Sequence, residues 1–129
     1  MAGYTIRNLK DVEDQAPKGG LAPNLEARFA REALESEQLG FSYQRLAPGF
    51  RMPFGHRHEA QEEIYVLVGG NGRIKLDDDV LELRQWDVVR IAPETMRCLE
   101  AGPEGAELLA FSPRTDGNDA QMTQDWWGD

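Results

Sequence analysis

From Gly40 to Phe111 the chain is a series of short runs rich in β-branched and aromatic residues, each cut by glycine, proline, asparagine or aspartate. Such spacing predicts short antiparallel strands joined by tight turns, the pattern of a sandwich or closed barrel with few or no helices. Phe41 to Leu46 is the first run, and Pro48, Gly49, Pro53 and Gly55 punctuate the stretch after it. Glu63 to Val68 reads as a strand ending at Gly69, Gly70, Asn71 and Gly72, where glycine reaches φ > 0 at little cost. Arg73 to Leu76 and Val80 to Leu83 flank Asp77, Asp78 and Asp79, so they read as a hairpin with a solvated acidic tip. Val88 to Ile91 and Glu107 to Phe111 complete the set.

The flanks are less regular. Leu25, Ala27 and Phe29 alternate as a strand would, although Leu25, Phe29, Ala33 and Leu34 also fit one helical face. The strand is the preferred reading, followed by a tight turn near Glu35. Residues 1–24 form an N-terminal arm with Tyr4 and Ile6 as its apolar pattern, residues 25–113 the barrel, and residues 114–129 a polar tail. Trp126 and Trp127 near its end are costly to leave wet, so the tail is expected to pack on the barrel or on a partner.

A chain of 129 residues can bury one core without covalent staples. Its net charge of -9, with Lys and Arg scattered, excludes a phosphate-binding stripe, so neither nucleic acid nor an anionic membrane is an expected partner. Gly70-Asn71-Gly72 lacks the following helix that a dinucleotide turn needs. Cys98 is the single cysteine, which excludes an intrachain disulfide and a cysteine zinc cluster. The first twenty residues hold no apolar leader core, and Ile64 to Val68 is too short to span a bilayer, so a cytoplasmic location is expected.

Both histidines fall in Gly55-His56-Arg57-His58. On an extended strand a two-residue spacing points both rings to one face, as a shared metal ion requires. Glu63 opens the next strand and an intervening turn folds its carboxylate back toward them. Two imidazoles and one carboxylate leave coordination positions open, a set used for Fe(II), Mn(II) and related centres. The plain alternative is that His56 and His58 are ordinary loop histidines.

The neighbours of these residues are Pro48-Gly49, His56-x-His58, Glu62-Glu63-Ile64-Tyr65-Val66-Leu67, then Gly70 and Gly72. This resembles the first conserved motif of the cupin superfamily, with the gap from Gly49 to His56 one residue longer than usual. By that resemblance Glu63 is the metal-binding glutamate, and Glu62 is the fallback with Gly69 in the glycine role. The second cupin motif, aligned on Asp87 and Pro93, has Trp86, Ala92, Glu94, Arg97 and Ala101 in its characteristic positions, and all five depart from it. The resemblance covers Phe41 to Phe111 and rests mainly on its first half.

The resemblance implies an all-β, cupin-type jelly-roll barrel (a double-stranded β-helix), a homodimer, and a site for Fe, Mn, Ni, Cu or Zn, or for none. Arg97 stands where the family has its fourth ligand, a histidine, and guanidinium cannot donate a lone pair. At about 5 Å from a divalent ion its repulsion is on the order of 6 kcal/mol at an effective dielectric of about 20. Two arrangements are physically sensible: Arg97 pairs with Glu63 in a metal-free pocket, or it clamps a small anionic substrate beside a three-ligand metal. A one-residue change of register would instead turn Arg97 outward and Met96 inward. Tyr43, Gln44 and Tyr65 are further candidate substrate-binding residues and Phe50, Met52 and Phe54 a candidate wall, although core packing explains all six equally well. The functions implied are a metal-dependent dioxygenase, isomerase or lyase, or a metal-free protein that binds or senses a small molecule. A mainly structural role with Trp126 and Trp127 at an interface is a third reading.

Overall fold

The computed structural model describes residues 3–113 and 119–128. Within them the chain forms eight antiparallel strands: β1 Leu25–Phe29, β2 Leu39–Leu46, β3 Phe54–Arg57, β4 Glu63–Leu76, β5 Asp79–Arg84, β6 Val88–Ile91, β7 Arg97–Pro113 and β8 Gln121–Gln124. A one-turn helix, α1 (Arg31–Leu34), and two 3-10 turns are the only helical elements among the described residues. Glu35 at the end of α1 is left-handed, in the place where a tight turn was expected. The all-β expectation therefore holds. None of these helices is long and apolar enough to cross a membrane.

β7 is the hub. Its second half pairs with β2 from Leu46↔Ala106 to Leu39↔Pro113, and β4 lies along its other edge from Ile64↔Phe111 to Leu76↔Arg97. β4 also carries the β5 hairpin and β6, while β3 joins β7 at His56↔Arg97 and β8 at its other edge. The result is one sheet curled into a half barrel, with β1 and β8 at its ends.

β4 runs on where the sequence suggested a stop, and β7 begins at Arg97, ten residues before the expected run from Glu107. β4 was expected to end at Gly69 but continues to Leu76, because the pairing with β7 shifts register between Leu67 and Gly69 and again between Gly70 and Gly72. Such bulges bend a strand without ending it. Gly70 sits at φ 70°, and a Cβ there would stand 2.0 Å from the carbonyl oxygen of Gly105, so the bend needs glycine. Across the bend the buried face changes phase: Tyr65 and Leu67 point inward before it and Ile74 after it, as Leu99 and Ala101 give way to Ala106, Leu108 and Ala110 on β7. These side chains, with Leu25, Ala27, Leu46, Leu83 and Ile91, form the core. The acidic hairpin tip is partly engaged rather than merely solvated, since Asp77 exchanges hydrogen bonds with the backbone of Met96.

The arm is tied to the outer face of the sheet. Glu26 is buried and accepts from Lys10, Arg28 and Arg45 at 2.7, 2.6 and 3.2 Å. The Lys10 hydrogen bond lowers the Glu26 pKa most; the arginines add to it, and together they overcome burial to bring it to about 2.

Candidate metal centre

Three strands converge on the histidines. β3 faces β7 with His56 opposite Arg97, and His58, two residues on, is held by its N–H to the Pro93 carbonyl at 2.7 Å. Glu63 is the first residue of β4, in phase with inward Tyr65 and Leu67, so its carboxylate turns into the barrel. Glu62 points the other way, exposed and paired with Arg90 at 2.6 Å, which leaves Glu63 as the inward acid.

The coordinating atoms of His56, His58 and Glu63 lie within 4.8 Å of one another. Glu63 Oε1 is 3.5 Å from His56 Nε2 and 3.4 Å from His58 Nε2, and the two rings stand edge to face with centroids 5.2 Å apart. Two atoms each bound about 2.1 Å from one ion at a near-tetrahedral angle stand about 3.4 Å apart, so the cluster is geometrically suited to a divalent metal.

The chemistry of His58 points the same way. Its Nδ1 lies 2.7 Å from Asp119 Oδ1, and an ionised carboxylate only accepts, so Nδ1 carries the proton. Asp119 Oδ2 accepts in turn from the N–H groups of Ala60 and Gln61 at 2.9 and 3.2 Å. In the neutral ring Nε2 is then a lone-pair donor facing the centre. It is buried and makes no hydrogen bond, its polar neighbour being Glu63 Oε1 at 3.4 Å, an arrangement that suits a metal ligand.

Arg97 complicates the site. It is 1% exposed, in phase with inward Leu99 and Ala101, so the alternative in which it faces solvent and Met96 faces inward does not occur. Nη1 donates to Glu63 Oε1 at 2.6 Å, Nη2 to the carbonyls of Ala92, Pro93 and Thr95, and Nε to Thr95. All three nitrogens are thus engaged. Tyr65 also donates to Glu63 Oε1, at 3.2 Å. Burial pushes the Glu63 carboxyl up, but the two histidines and the Arg97 charge outweigh it and hold its pKa far below the carboxylate range. The Glu63 carboxylate raises the His58 pKa, burial opposes this, and Asp119 adds to the rise. Burial, reinforced by the neighbouring Glu63 charge, keeps Tyr65 a neutral phenol.

A cavity of about 540 Å³ opens over the centre. His56, His58 and Glu63 line it together with Gln44, Tyr65 and Phe54. Of the other candidates, Arg97 lies behind Glu63 and is not in this lining. Tyr43 points to the opposite face of β2, where its hydroxyl donates to Glu107 at 2.6 Å. Phe50 and Met52 pack against the core instead. Cys98 is buried, and desolvation raises its thiol pKa to about 11, so the adjacent Arg97 does not activate it. Asp119 is the site residue that sequence reasoning missed: it is 61 positions from His58, in a tail whose only signal was the Trp126-Trp127 pair.

No protein-family model matches the chain. A curated relative, an uncharacterized protein of Methanocaldococcus jannaschii, is 36% identical over 45 residues, which are 35% of this chain and 36% of that protein's length. Among solved structures, a cupin protein from Bacteroides fragilis superposes with a TM-score of 0.73 at 24% identity, covering 92% of this chain and 90% of its own. A single-substitution variant of oxalate decarboxylase from B. subtilis gives 0.74 at 22% identity, covering 95% of this chain and 34% of the larger protein. At these identities the likeness concerns the fold: the chain is a small, single-domain, cupin-like half barrel, and the two-histidine, one-glutamate cluster sits inside it.

Proposed function

We propose that this protein is a metal-dependent cupin enzyme acting on a small anionic molecule, with His56, His58 and Glu63 holding one divalent transition metal ion. The carrying observation is the buried Nε2 of His58, which has no hydrogen-bond partner and whose ring is fixed from behind by Asp119. Such an ion supplies Lewis acidity toward a bound carbonyl or carboxylate oxygen. The chain's own groups do the rest: Gln44 and Tyr65 offer hydrogen bonds to a molecule in the cavity, Phe54 shields it from water, and Arg97 holds the Glu63 carboxylate ionised and oriented. An anionic substrate is in keeping with the oxalate decarboxylase that shares the fold. Dioxygenase, isomerase and lyase chemistry are all compatible with an open three-ligand centre.

A second reading is favoured by the Arg97–Glu63 contact itself, which is the arrangement expected of a metal-free, ligand-binding or sensing pocket. Elemental analysis separates the two. The enzyme reading expects close to one Fe, Mn, Ni, Cu or Zn per chain, lost on changing both His56 and His58 to alanine. Protein that holds no metal even after loading would leave the sensing reading in its place.

A further inference from the structure

Beyond the three metal-facing side chains, the C-terminal strap is the element most closely tied to the centre. β8 pairs with β3 from Phe54↔Gln124 to Arg57↔Gln121, so the strand bearing His56 is held between the strap and β7. Ala120 and Met122 of the strap line the cavity, and Asp119, one residue before Ala120, supplies the acceptor for His58 Nδ1.

All four residues of β8 are exposed, so burial of its own side chains does not hold it in place. The hold lies just beyond. Trp126 packs on Gly55, where a Cβ would stand 2.7 Å from the indole, and Lys75 Nζ sits 4.5 Å from the ring centre. Trp127 lies against two guanidinium groups, with Arg51 at 4.5 Å and Arg73 at 5.4 Å from its ring. Arg51 donates to the Gly128 carbonyl at 2.8 Å and Lys75 to that of Trp127 at 3.2 Å. Stacked cations and backbone hydrogen bonds together form a latch.

We propose that Asp119 is the positioning residue of the metal centre and that Trp126 and Trp127 are the latch that brings it there, so the site is complete only when the strap is docked. The proposal rests on the metal-binding reading. Without the carboxylate, Nδ1 of a buried ring loses its acceptor, and the imidazole is free to carry its proton on Nε2, where it blocks coordination. Asparagine is not an adequate substitute, because its amide nitrogen can accept from neither Nδ1–H nor the Ala60 and Gln61 N–H groups.

The test uses the full chain, its Asp119→Asn and Asp119→Ala variants, and a Trp126→Ala/Trp127→Ala double variant, with Zn(II) as the probe in competition with a chromophoric chelator. Histidine side-chain nitrogen NMR on the metal-free proteins reports the tautomer directly, and with two histidines in the chain one further variant, His56→Gln, assigns both. The expected result is a 10- to 100-fold loss of Zn(II) affinity in the Asp119 variants. His58 is expected to change from a single Nδ1–H tautomer to a mixture in those variants and, with the carboxylate still encoded, in the double tryptophan variant as well. An Asp119 that only braces the Ala60–Gln61 turn would leave the tautomer unchanged, and that result overturns the positioning role. Wild-type affinity and tautomer in the double variant overturn the latch. Should wild-type protein bind no Zn(II), the metal reading fails by itself, and the tautomers still decide whether Asp119 sets the state of His58. Asp119→Asn is nearly isosteric and keeps the comparison available if Asp119→Ala does not fold.

Discussion

The guanidinium of Arg97 and the carboxylate of Glu63 are 2.6 Å apart, with side chains 1% and 12% exposed, and removing one strands the other. Breaking such a buried pair costs about 3–5 kcal/mol, so Arg97→Met is expected to lower the stability of the metal-free protein by that order in chemical denaturation. Added Zn(II) is expected to return much of the loss, because a bound cation replaces the missing charge. In a purely metal-free pocket Zn(II) would give no such recovery. His58 sets the pH response. Its folded pKa is raised, so protonation stabilises the metal-free fold fully below the unfolded value of about 6.5, and that contribution is lost as pH rises through the higher folded value. Metal competes with the same proton, and Zn(II) affinity measured by chelator competition is expected to rise with pH over this window and then level off. His56 and His58 were legible at this scale because their two-residue spacing on a strand fixes a common face, and Glu63 because the cupin resemblance singles it out from Glu62. The role of Arg97 required register, which spacing does not supply, and Asp119 required a contact across 61 positions that no local pattern announces.

Strand positions were readable where apolar alternation is unbroken, as in β2, β6 and the first half of β4, and less so where bulges interrupt it. The glycines from Gly69 to Gly72 looked like a terminus because glycine serves both a turn and a bend, and only the partner strand decides which. β8 was invisible, since its residues Gln121, Met122, Thr123 and Gln124 are all exposed and carry no alternating apolar face. The turn between β5 and β6 shows the opposite case. Trp86 stands where the cupin motif has a glycine, and it adopts φ 76°, the left-handed conformation glycine favours, while Glu94, in another glycine position of that motif, has no positive φ. Trp86 is 67% exposed, so little packing opposes a change, and Trp86→Gly is expected to stabilise the protein by about 0.5–1 kcal/mol in urea titrations.

At the scale of the whole molecule, the half barrel leaves an apolar row on its outer face. Antiparallel partners share a face, so Phe41, Phe111 and Ile64 stand side by side across β2, β7 and β4, with Val66 and Val88 in the adjoining row. Phe111, Ile64 and Val88 are 41, 40 and 64% exposed, and we propose that the homodimer implied by the cupin resemblance covers them. Sedimentation equilibrium is expected to give a dimer for the wild type and a monomer for Ile64→Asp/Val88→Asp; a monomeric wild type would dismiss the interface. The fold class was legible because turn spacing and strand alternation are local, whereas the closure of the site by the C-terminal strap is a property of the assembled chain.

Three side chains, from β3, the residue just after it and the start of β4, are proposed to share one ion inside the half barrel. A crystal of the wild-type protein soaked in Zn(II), with data collected at the zinc absorption edge, tests this most directly. The expected result is a single anomalous peak about 2.0–2.2 Å from the Nε2 atoms of His56 and His58 and from a Glu63 carboxylate oxygen. A map with no peak there, and with Arg97 still seated on Glu63, would contradict it.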